Sequence, residues 1–166
     1  WLGAEAGRAA SACQGGQTAS ARPSCRCTPD AVARYQARLS GPLLDRIDLQ
    51  VEVPAPTPAD LLRPPSGASS AQVAQRVAAA QALQRARQGV LNAHLPVAAL
   101  PVQAPLSSDA HGFLERSAQR LGWSGRSLHR VLRVARTVAD LAGSAPIEVA
   151  HLAEAVQLRR ALLQAP

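Results

Sequence analysis

Apolar residues recur every three to four positions through most of the second half of the chain, the spacing of one face of an α-helix. With serine at the start and glycine after the end, this spacing predicts helices over 71–88, 108–121 and 125–141. A final helix is predicted to open at Pro146 and to run to Leu163. The last three of these helices follow one another through short joints, which is typical of a small helical bundle.

The predicted helices differ in the strength of their apolar faces. The helix over 71–88 has only a thin stripe opposite a wide polar face, formed by Val73, Val77, Ala80 and Leu83. It is expected to pack on one side only and to bridge two domains. The helix over 125–141 has apolar residues at near-ideal spacing: Leu128, Val131, Leu132, Ala135, Val138 and Leu141. Its arginines are predicted to be solvated, with Arg136 and Asp140 forming a weak i,i+4 pair.

A period of two replaces the helical period over 47–53. Apolar residues alternate there with polar ones, and Pro54 ends the run: Ile47, Leu49, Val51 and Val53 against Asp48, Gln50 and Glu52. The pattern predicts a strand with its apolar side in a core. Arg46 lies where the chain enters this strand, after a Ser-Gly-Pro turn, and is well placed to reach an anion. The alternative is a surface ion pair of Arg46 with a neighbouring aspartate.

The remaining stretches are shorter or less regular. Thr28, followed by proline, is predicted to cap a helix that runs to Leu39. Residues 4–23 are predicted to form a flexible surface loop, and 54–58 a stiff extended connector. The prolines and glycine of 59–68 predict a loop, and the three prolines of 90–107 allow at most short turns there.

Composition limits the chemistry of this chain. The net charge is +7, and all 18 basic residues are arginine. Without lysine there is no phosphate-binding P-loop, so the polypeptide alone is predicted not to be a complete NTPase. The arginine excess suits contact with nucleic acid backbone, and it equally suits a codon bias that writes arginine for lysine. The few aromatic residues do not form a stacking platform for single strands.

Metal and catalytic patterns are weak. Cys25 and Cys27 are possible zinc ligands, but with Cys13 they make only three cysteines where structural zinc prefers four ligands. No metal site is therefore predicted, and the scattered histidines form no catalytic arrangement. The sequence has no membrane-spanning apolar run and no secretory leader, which predicts a cytoplasmic protein without a membrane partner.

Two runs carry a family resemblance. Leu39-Ser40-Gly41-Pro42-Leu43-Leu44-Asp45-Arg46-Ile47-Asp48-Leu49-Gln50-Val51-Glu52-Val53 resembles the arginine-finger segment of magnesium-chelatase-like AAA+ ATPases, above all the YifB/ComM family. The run from Ser124 to Leu141 resembles the sensor-two helix of that family. The resemblance covers about 25–160 without the insertion 4–23, and the chain, which begins at Trp1 without methionine, is expected to be the C-terminal part of a longer protein.

The resemblance implies a mainly α fold: the C-terminal remnant of an AAA+ α/β core, with one helix and one strand, followed by a three-helix lid bundle. It places the end of the core at 1–56, a proline-rich connector with one linking helix at 57–106, and the lid at 107–166. In this family the arginine that matches Arg46 acts in trans as an arginine finger. Arg126 matches the sensor-two arginine, acting in cis or in trans, and Arg130 and Arg133 are weaker candidates for nucleotide binding.

The resemblance also implies an activity for the full-length protein: a homo-hexameric ring that hydrolyses ATP with Mg²⁺ and acts on DNA. Proteins of the ComM type are branch-migration helicases in natural transformation. ATP and Mg²⁺ are not expected to bind this fragment alone. The rival hypothesis is a non-enzymatic, arginine-rich helical module that binds DNA or a protein, with 108–142 used as a helix-turn-helix. Against it, the apolar faces of these helices are needed for the bundle.

Overall fold

The computed structural model describes residues 28, 30, 34, 46–51, 53, 56–63 and 67–160. Over these residues the chain is mainly helical and contains no strand, which confirms the mainly α fold class. The α-helices are α1 (Pro58–Leu62), α2 (Ser70–Gln88), α3 (Leu100–Gln103), α4 (Ser108–Leu121), α5 (Gly125–Leu141) and α6 (Val149–Arg160). Two 3₁₀ turns, Asn92–His94 and Val97–Ala99, lie between α2 and α3. None of the helices in these ranges has the length and apolarity needed to cross a membrane.

Contacts divide the chain into two compact units. The first unit comprises Trp1–Arg46 and Val53–Pro64, and the second Ile47–Glu52 and Pro65–Pro166. The described part of the first unit contains α1 and two further helical residues, Asp30 and Arg34. The Arg34 Nε donates a hydrogen bond to the Asp30 carbonyl over 3.4 Å. The bounds of the helix predicted over 28–39, like the insertion 4–23, lie outside the described residues. The second unit holds the helical bundle.

Helix ends in the second unit follow the predicted chemistry. Ser69, Ser107 and Ser124 are N-caps, and each side chain accepts a hydrogen bond from a backbone N–H in the first turn. At the other ends, Gly89 and Gly122 adopt left-handed conformations with φ of 76° and 60°. Glycine is the residue that enters this region without a steric penalty, so it terminates α2 and α4 cleanly.

The apolar core lies between α4, α5 and α6. Helix α5 packs against α6 along its length and against α2 on another side, and α4 packs against α6. A parallel bridge between Leu106 and Ile147 aligns the chain entering α4 with the chain before α6. Fully buried apolar side chains converge here: Leu95, Leu100, Ala110, Val131, Ala135, Ala139, Ile147, Leu152 and Ala155. The predicted three-helix bundle is therefore present, and Leu95 and Leu100, from the 3₁₀ turns and α3, complete its core.

The predicted apolar stripe of α2 is only partly used. Val73, Val77 and Leu83 remain 43–51% exposed, whereas Ala80 and Gln84 are each 5% exposed. The helix therefore docks through a small residue and a polar one. Gln84 can be buried without loss because its side-chain oxygen accepts a hydrogen bond from the Asn92 backbone N–H at 3.0 Å.

The loop predicted over 59–68 is wrong at its start, because α1 occupies Pro58–Leu62. Thr57 caps this helix, and the Asp60 side chain accepts from the Thr57 backbone N–H at 3.1 Å in a capping box. Hydrogen bonds from Thr57 also lower the pKa of Asp60 below its usual value. The signal was in the sequence: threonine, proline at the first helical position, and an acid two residues later.

The strand predicted over 47–53 does not form in the described residues of that range, and its apolar face is not buried. Leu49, Val51 and Val53 are 52%, 68% and 83% exposed, while Gln50 is 7% exposed. The backbone N–H of Gln50 donates to the Leu158 carbonyl on α6 over 2.6 Å. With no partner strand in the described chain, a helix supplies the hydrogen bond, and this turns Gln50 inward and its alternating neighbours outward.

Candidate functional site

The first turn of α5 presents an anion-accepting arrangement around Arg126. Ser124 Oγ accepts from the Ser127 N–H at 3.2 Å, which fixes the start of the helix. The first N–H groups of a helix have no intrahelical acceptor, and the helix dipole adds partial positive charge there. Arg126 is exposed, and among the described residues its guanidinium makes no hydrogen bond or ion pair. A guanidinium and a helix N-terminus can thus act on one phosphate.

Arg130 and Arg133, the weaker candidates, lie further along α5 and are engaged within the chain. Arg130 Nη1 lies 2.5 Å from an Asp48 carboxylate oxygen. Arg133 donates from Nε and Nη2 to the Leu95 carbonyl over 3.0 and 2.7 Å. The Arg133 guanidinium therefore secures the turn between α2 and α3, and neither arginine shares the open position of Arg126.

Arg46 lies in a turn, and its side chain is exposed to solvent. Exposure is what an arginine acting on a neighbouring subunit requires. Of the two aspartates considered from the sequence as ion-pair partners of Arg46, Asp48 is paired with Arg130 and Asp45 lies outside the described residues; the Arg46 side chain is not without an interaction of its own.

Arg159 is a residue that the sequence pattern did not single out. It lies near the end of α6, is only 6% exposed, and donates from Nη1 to the Ile47 carbonyl at 3.3 Å. Its Nη2 donates to Ser127 Oγ at 3.0 Å. An arginine in the last turn of a helix normally indicates a solvated, dipole-compensating side chain, so the sequence held no signal for this burial.

A buried polar network joins α2 to α5. Arg87 forms a two-pronged ion pair with Asp140, at 2.6 and 3.0 Å, and also donates to Asn92 Oδ1 at 2.9 Å. Asn92 Nδ2 donates to Asp140 at 2.8 Å. From the other side, Arg136 donates to Asp140 at 3.0 Å and to the carbonyls of Ser144 and Ala145 at 2.6 Å each.

The prediction that Arg136 is solvated is wrong, since its side chain is 1% exposed. Burial lowers the pKa of Arg136 below its usual value, and the charge of Asp140 opposes that shift. Burial raises the pKa of the Asp140 carboxyl, but hydrogen bonds from Arg87 and Asn92 and the charges of Arg136 and Arg87 outweigh it and hold the pKa below its usual value. The Asp140 carboxyl therefore stays ionised at neutral pH, with the Arg136 guanidinium as one of its counter-ions.

An open pocket of about 360 Å³ borders this network between α2 and the end of α5, lined by Leu83, Arg87, Arg136, Asp140 and 143–145. Its polar groups are already paired with one another. The buried side-chain polar atoms of the described chain all have hydrogen-bond partners, so the pocket offers a ligand no unsatisfied buried group.

No group of three or more histidine, cysteine or acidic side chains in the described ranges could hold a metal ion. Cys25 and Cys27, the possible zinc ligands, lie outside those ranges.

Two family models match the chain. The C-terminal model of the magnesium chelatase subunit ChlI matches residues 67–159, and the ChlI model itself matches residues 7–61. The protein YifB of Escherichia coli K12 is 46% identical over 135 residues, which is 81% of this chain and 27% of YifB. The competence protein ComM of Haemophilus influenzae is 41% identical over 135 residues, 81% of this chain and 26% of ComM.

The chain thus spans about a quarter of the length of the relatives that it matches. The C-terminal ChlI model covers more than half of the chain, including α2, α4, α5 and nearly all of α6. The arginine-bearing first turn of α5 lies inside this match. The chain belongs to the magnesium chelatase ChlI-like family, in its YifB/ComM branch.

Proposed function

We propose that the chain is the C-terminal part of a cytoplasmic, hexameric AAA+ ATPase that acts on DNA, a branch-migration helicase of the ComM type. In this proposal the chain supplies two arginines to ATP hydrolysis: Arg126 as the sensor-two arginine of the lid, and Arg46 as a finger that enters the nucleotide site of the next subunit. Family membership and the competence-protein relative support it.

The observation that carries the proposal is the open position of Arg126. It lies in the first turn of a long, well-capped helix whose other arginines contact carbonyls or carboxylates of the chain. Charge that develops on a transferring phosphoryl group is stabilised by a planar guanidinium and by helix N–H groups together. Because α5 is anchored to α2 and α6, Arg126 projects from a rigid element.

Magnesium and the lysine that holds the β- and γ-phosphates would come from outside these 166 residues, since the chain has no lysine. The role of the chain is therefore to complete a nucleotide site whose P-loop lies elsewhere in the same polypeptide. The relatives are about four times as long as the matched stretch, which leaves ample length for an AAA+ core.

The DNA part of the proposal rests on the net charge of +7 and on the competence-protein relative. Four arginines of the bundle are already used to hold it together, which reduces what remains for phosphate contacts: Arg87, Arg133, Arg136 and Arg159. This internal use of charge favours a lid over the rival DNA-binding module, in which those guanidinium groups would face the nucleic acid.

The sensor-two assignment is tested in the full-length protein by changing Arg126→Ala and, as a matched control, Arg120→Ala, an exposed arginine of α4. We expect Arg126→Ala to lower ATP turnover by about 10²-fold or more, the loss typical of one charge-stabilising donor, and Arg120→Ala to change it less than about twofold. Steady-state kinetics with Mg·ATP give both values. Equal activity of the two variants would contradict the assignment.

A further inference from the structure

The guanidinium of Arg159 joins two places that are far apart in sequence. Nη1 donates to the Ile47 carbonyl at 3.3 Å, and Nη2 donates to Ser127 Oγ at 3.0 Å. Arg159 and Ser127 are 6% and 3% exposed, so the bond between them is shielded from water, whereas the bond to the half-buried Ile47 is only partly shielded. A hydrogen bond from a charged donor contributes more than one between neutral groups, and of the two the shorter, buried bond to Ser127 is the stronger. We call this pair of bonds the Arg159 clasp.

Two further contacts hold the same segment against the lid helices. The Gln50 N–H donates to the Leu158 carbonyl on α6, and Asp48 pairs with Arg130 on α5. The backbone over Ile47–Gln50 is thus attached to α5 and α6, and in the described chain it has no strand neighbour that would set its position instead. Its placement therefore follows that of the two helices.

Each end of the clasp is one peptide bond from an arginine of the proposed function. Ile47 follows Arg46, and Ser127 follows Arg126. We propose that Arg159 is a positioning residue that couples the nucleotide sensed by Arg126 to the placement of Arg46, and so to the nucleotide site of the adjacent subunit. This inference rests on the proposed function and adds to it a route by which one site regulates the next.

The physical basis is the fixed geometry of the guanidinium. Its N–H donors lie in one plane, so a displacement of Ser127 relative to Ile47 breaks at least one of the two bonds unless the segments move together. Breaking it leaves a buried charged donor or a buried acceptor without its partner, which costs more than the bond itself contributes. A nucleotide that orders the first turn of α5 therefore also selects the position of the segment that begins after Arg46.

The test uses the full-length protein and amide hydrogen exchange over residues 47–51, with and without the non-hydrolysable analogue AMP-PNP and Mg²⁺. Arg159→Gln removes the clasp. Ser127→Ala removes the acceptor on α5, together with the hydrogen bond that Ser127 Oγ accepts from Ser124 Oγ, and introduces a good helix former. Arg120→Gln changes an exposed arginine on α4 and serves as the control. Exchange at Val131 and Ala135, in the core, reports whether each variant is folded.

We expect AMP-PNP to change exchange at Asp48–Val51 in the wild type and in Arg120→Gln. In Ser127→Ala and Arg159→Gln that response should disappear while AMP-PNP still binds, and without nucleotide the Gln50 amide should exchange about tenfold faster or more in Arg159→Gln, in keeping with the loss of a charged hydrogen bond. ATP turnover should fall in kcat with little change in KM, because the variant site still binds its nucleotide.

A nucleotide response that persists unchanged in folded Ser127→Ala and Arg159→Gln would overturn the clasp and leave the proposed function intact. A wild type that binds AMP-PNP without any response over 47–51 would do the same. If the wild-type protein failed to bind AMP-PNP at all, the proposed function itself would fall.

Discussion

At the scale of single residues, the arginines of α5 and α6 differ in their contacts and burial, although each is simply an arginine in a helical stretch of the sequence. Arg126 is open to solvent, Arg133 and Arg159 are bound to carbonyl oxygens, and Arg136 is buried in an ion pair with Asp140. Because Asp140 is buried among three partners from α2, α5 and the turn at 92–94, the carboxylate there ties three elements into one unit.

Removing the charge of Asp140 is expected to be strongly destabilising. In Asp140→Asn the buried Arg136 guanidinium loses its counter-ion, and breaking a buried pair on one side typically costs about 3–5 kcal/mol. The free energy of unfolding of the chain in urea measures the loss. Glu154→Gln, at an exposed position on α6, is the control and should shift it by less than about 0.5 kcal/mol. Equal stability of the two variants would show that the network contributes nothing.

Asp140→Asn also tests how the free energy of unfolding depends on pH. The folded-state pKa of Asp140 lies below its usual value, so its contribution to stability is complete above the unfolded pKa of about 3.9 and is lost as pH falls through the folded pKa. Unfolding free energies measured from pH 6 down to 2 should therefore fall below about pH 4. In Asp140→Asn that acid slope should be shallower, and an unchanged slope would assign the effect to other carboxyl groups.

At the scale of elements, local sequence signals located the helices well, because caps and stops are short-range chemistry. Serines mark the starts of α2, α4 and α5, and Gly89 and Gly122 mark two ends. The strand prediction for 47–53 is wrong because the burial of this segment depends on a long-range contact. Its alternation specifies which side chains share a face, but the partner that decides which face is buried lies more than 100 residues away on α6.

Gly122, at the end of α4, and Gly125, at the start of α5, offer a matched test of these helix-end signals. Gly122 has φ of +60°, and a Cβ added there meets no atom within 4 Å, so only backbone strain opposes a side chain. We expect Gly122→Ala to lower the unfolding free energy by about 1–2 kcal/mol. Gly125→Ala, in the first turn of α5 with open space around it, should be neutral or raise it by up to about 1 kcal/mol. Urea denaturation separates the two, and a reversed order would contradict the assigned backbone.

At the scale of the whole molecule, the sequence predicted the mainly α class, the helical bundle and the family, but not the polar contacts that hold the helices together. Amphipathic spacing shows where apolar side chains recur, whereas the partners of Arg87, Arg136 and Arg159 are carbonyls and carboxylates brought together only by folding. Arg126 could be named from the resemblance because its place in the first turn of a helix is a local property. Arg159 could not, since its place between Ile47 and Ser127 is a property of the fold.

The proposed function gives the chain a role that it would complete only within an assembly. Arg46 and Arg126 are exposed, and the chain has no lysine with which to hold a triphosphate. In the proposed ring, each subunit would therefore give Arg46 to its neighbour and receive one in return.

The most direct measurement is ATP turnover of full-length Arg46→Ala mixed with a partner whose P-loop lysine has been changed. Alone, each is expected to be about 10³-fold or more below wild type, as for other arginine-finger losses. Random mixing at equal amounts should restore activity at about a quarter of the interfaces of a closed ring, where an intact P-loop meets an intact Arg46. Arg63→Ala, at an exposed arginine after α1, should be fully active. A mixture that stays inactive, or Arg46→Ala as active as wild type, would contradict the account.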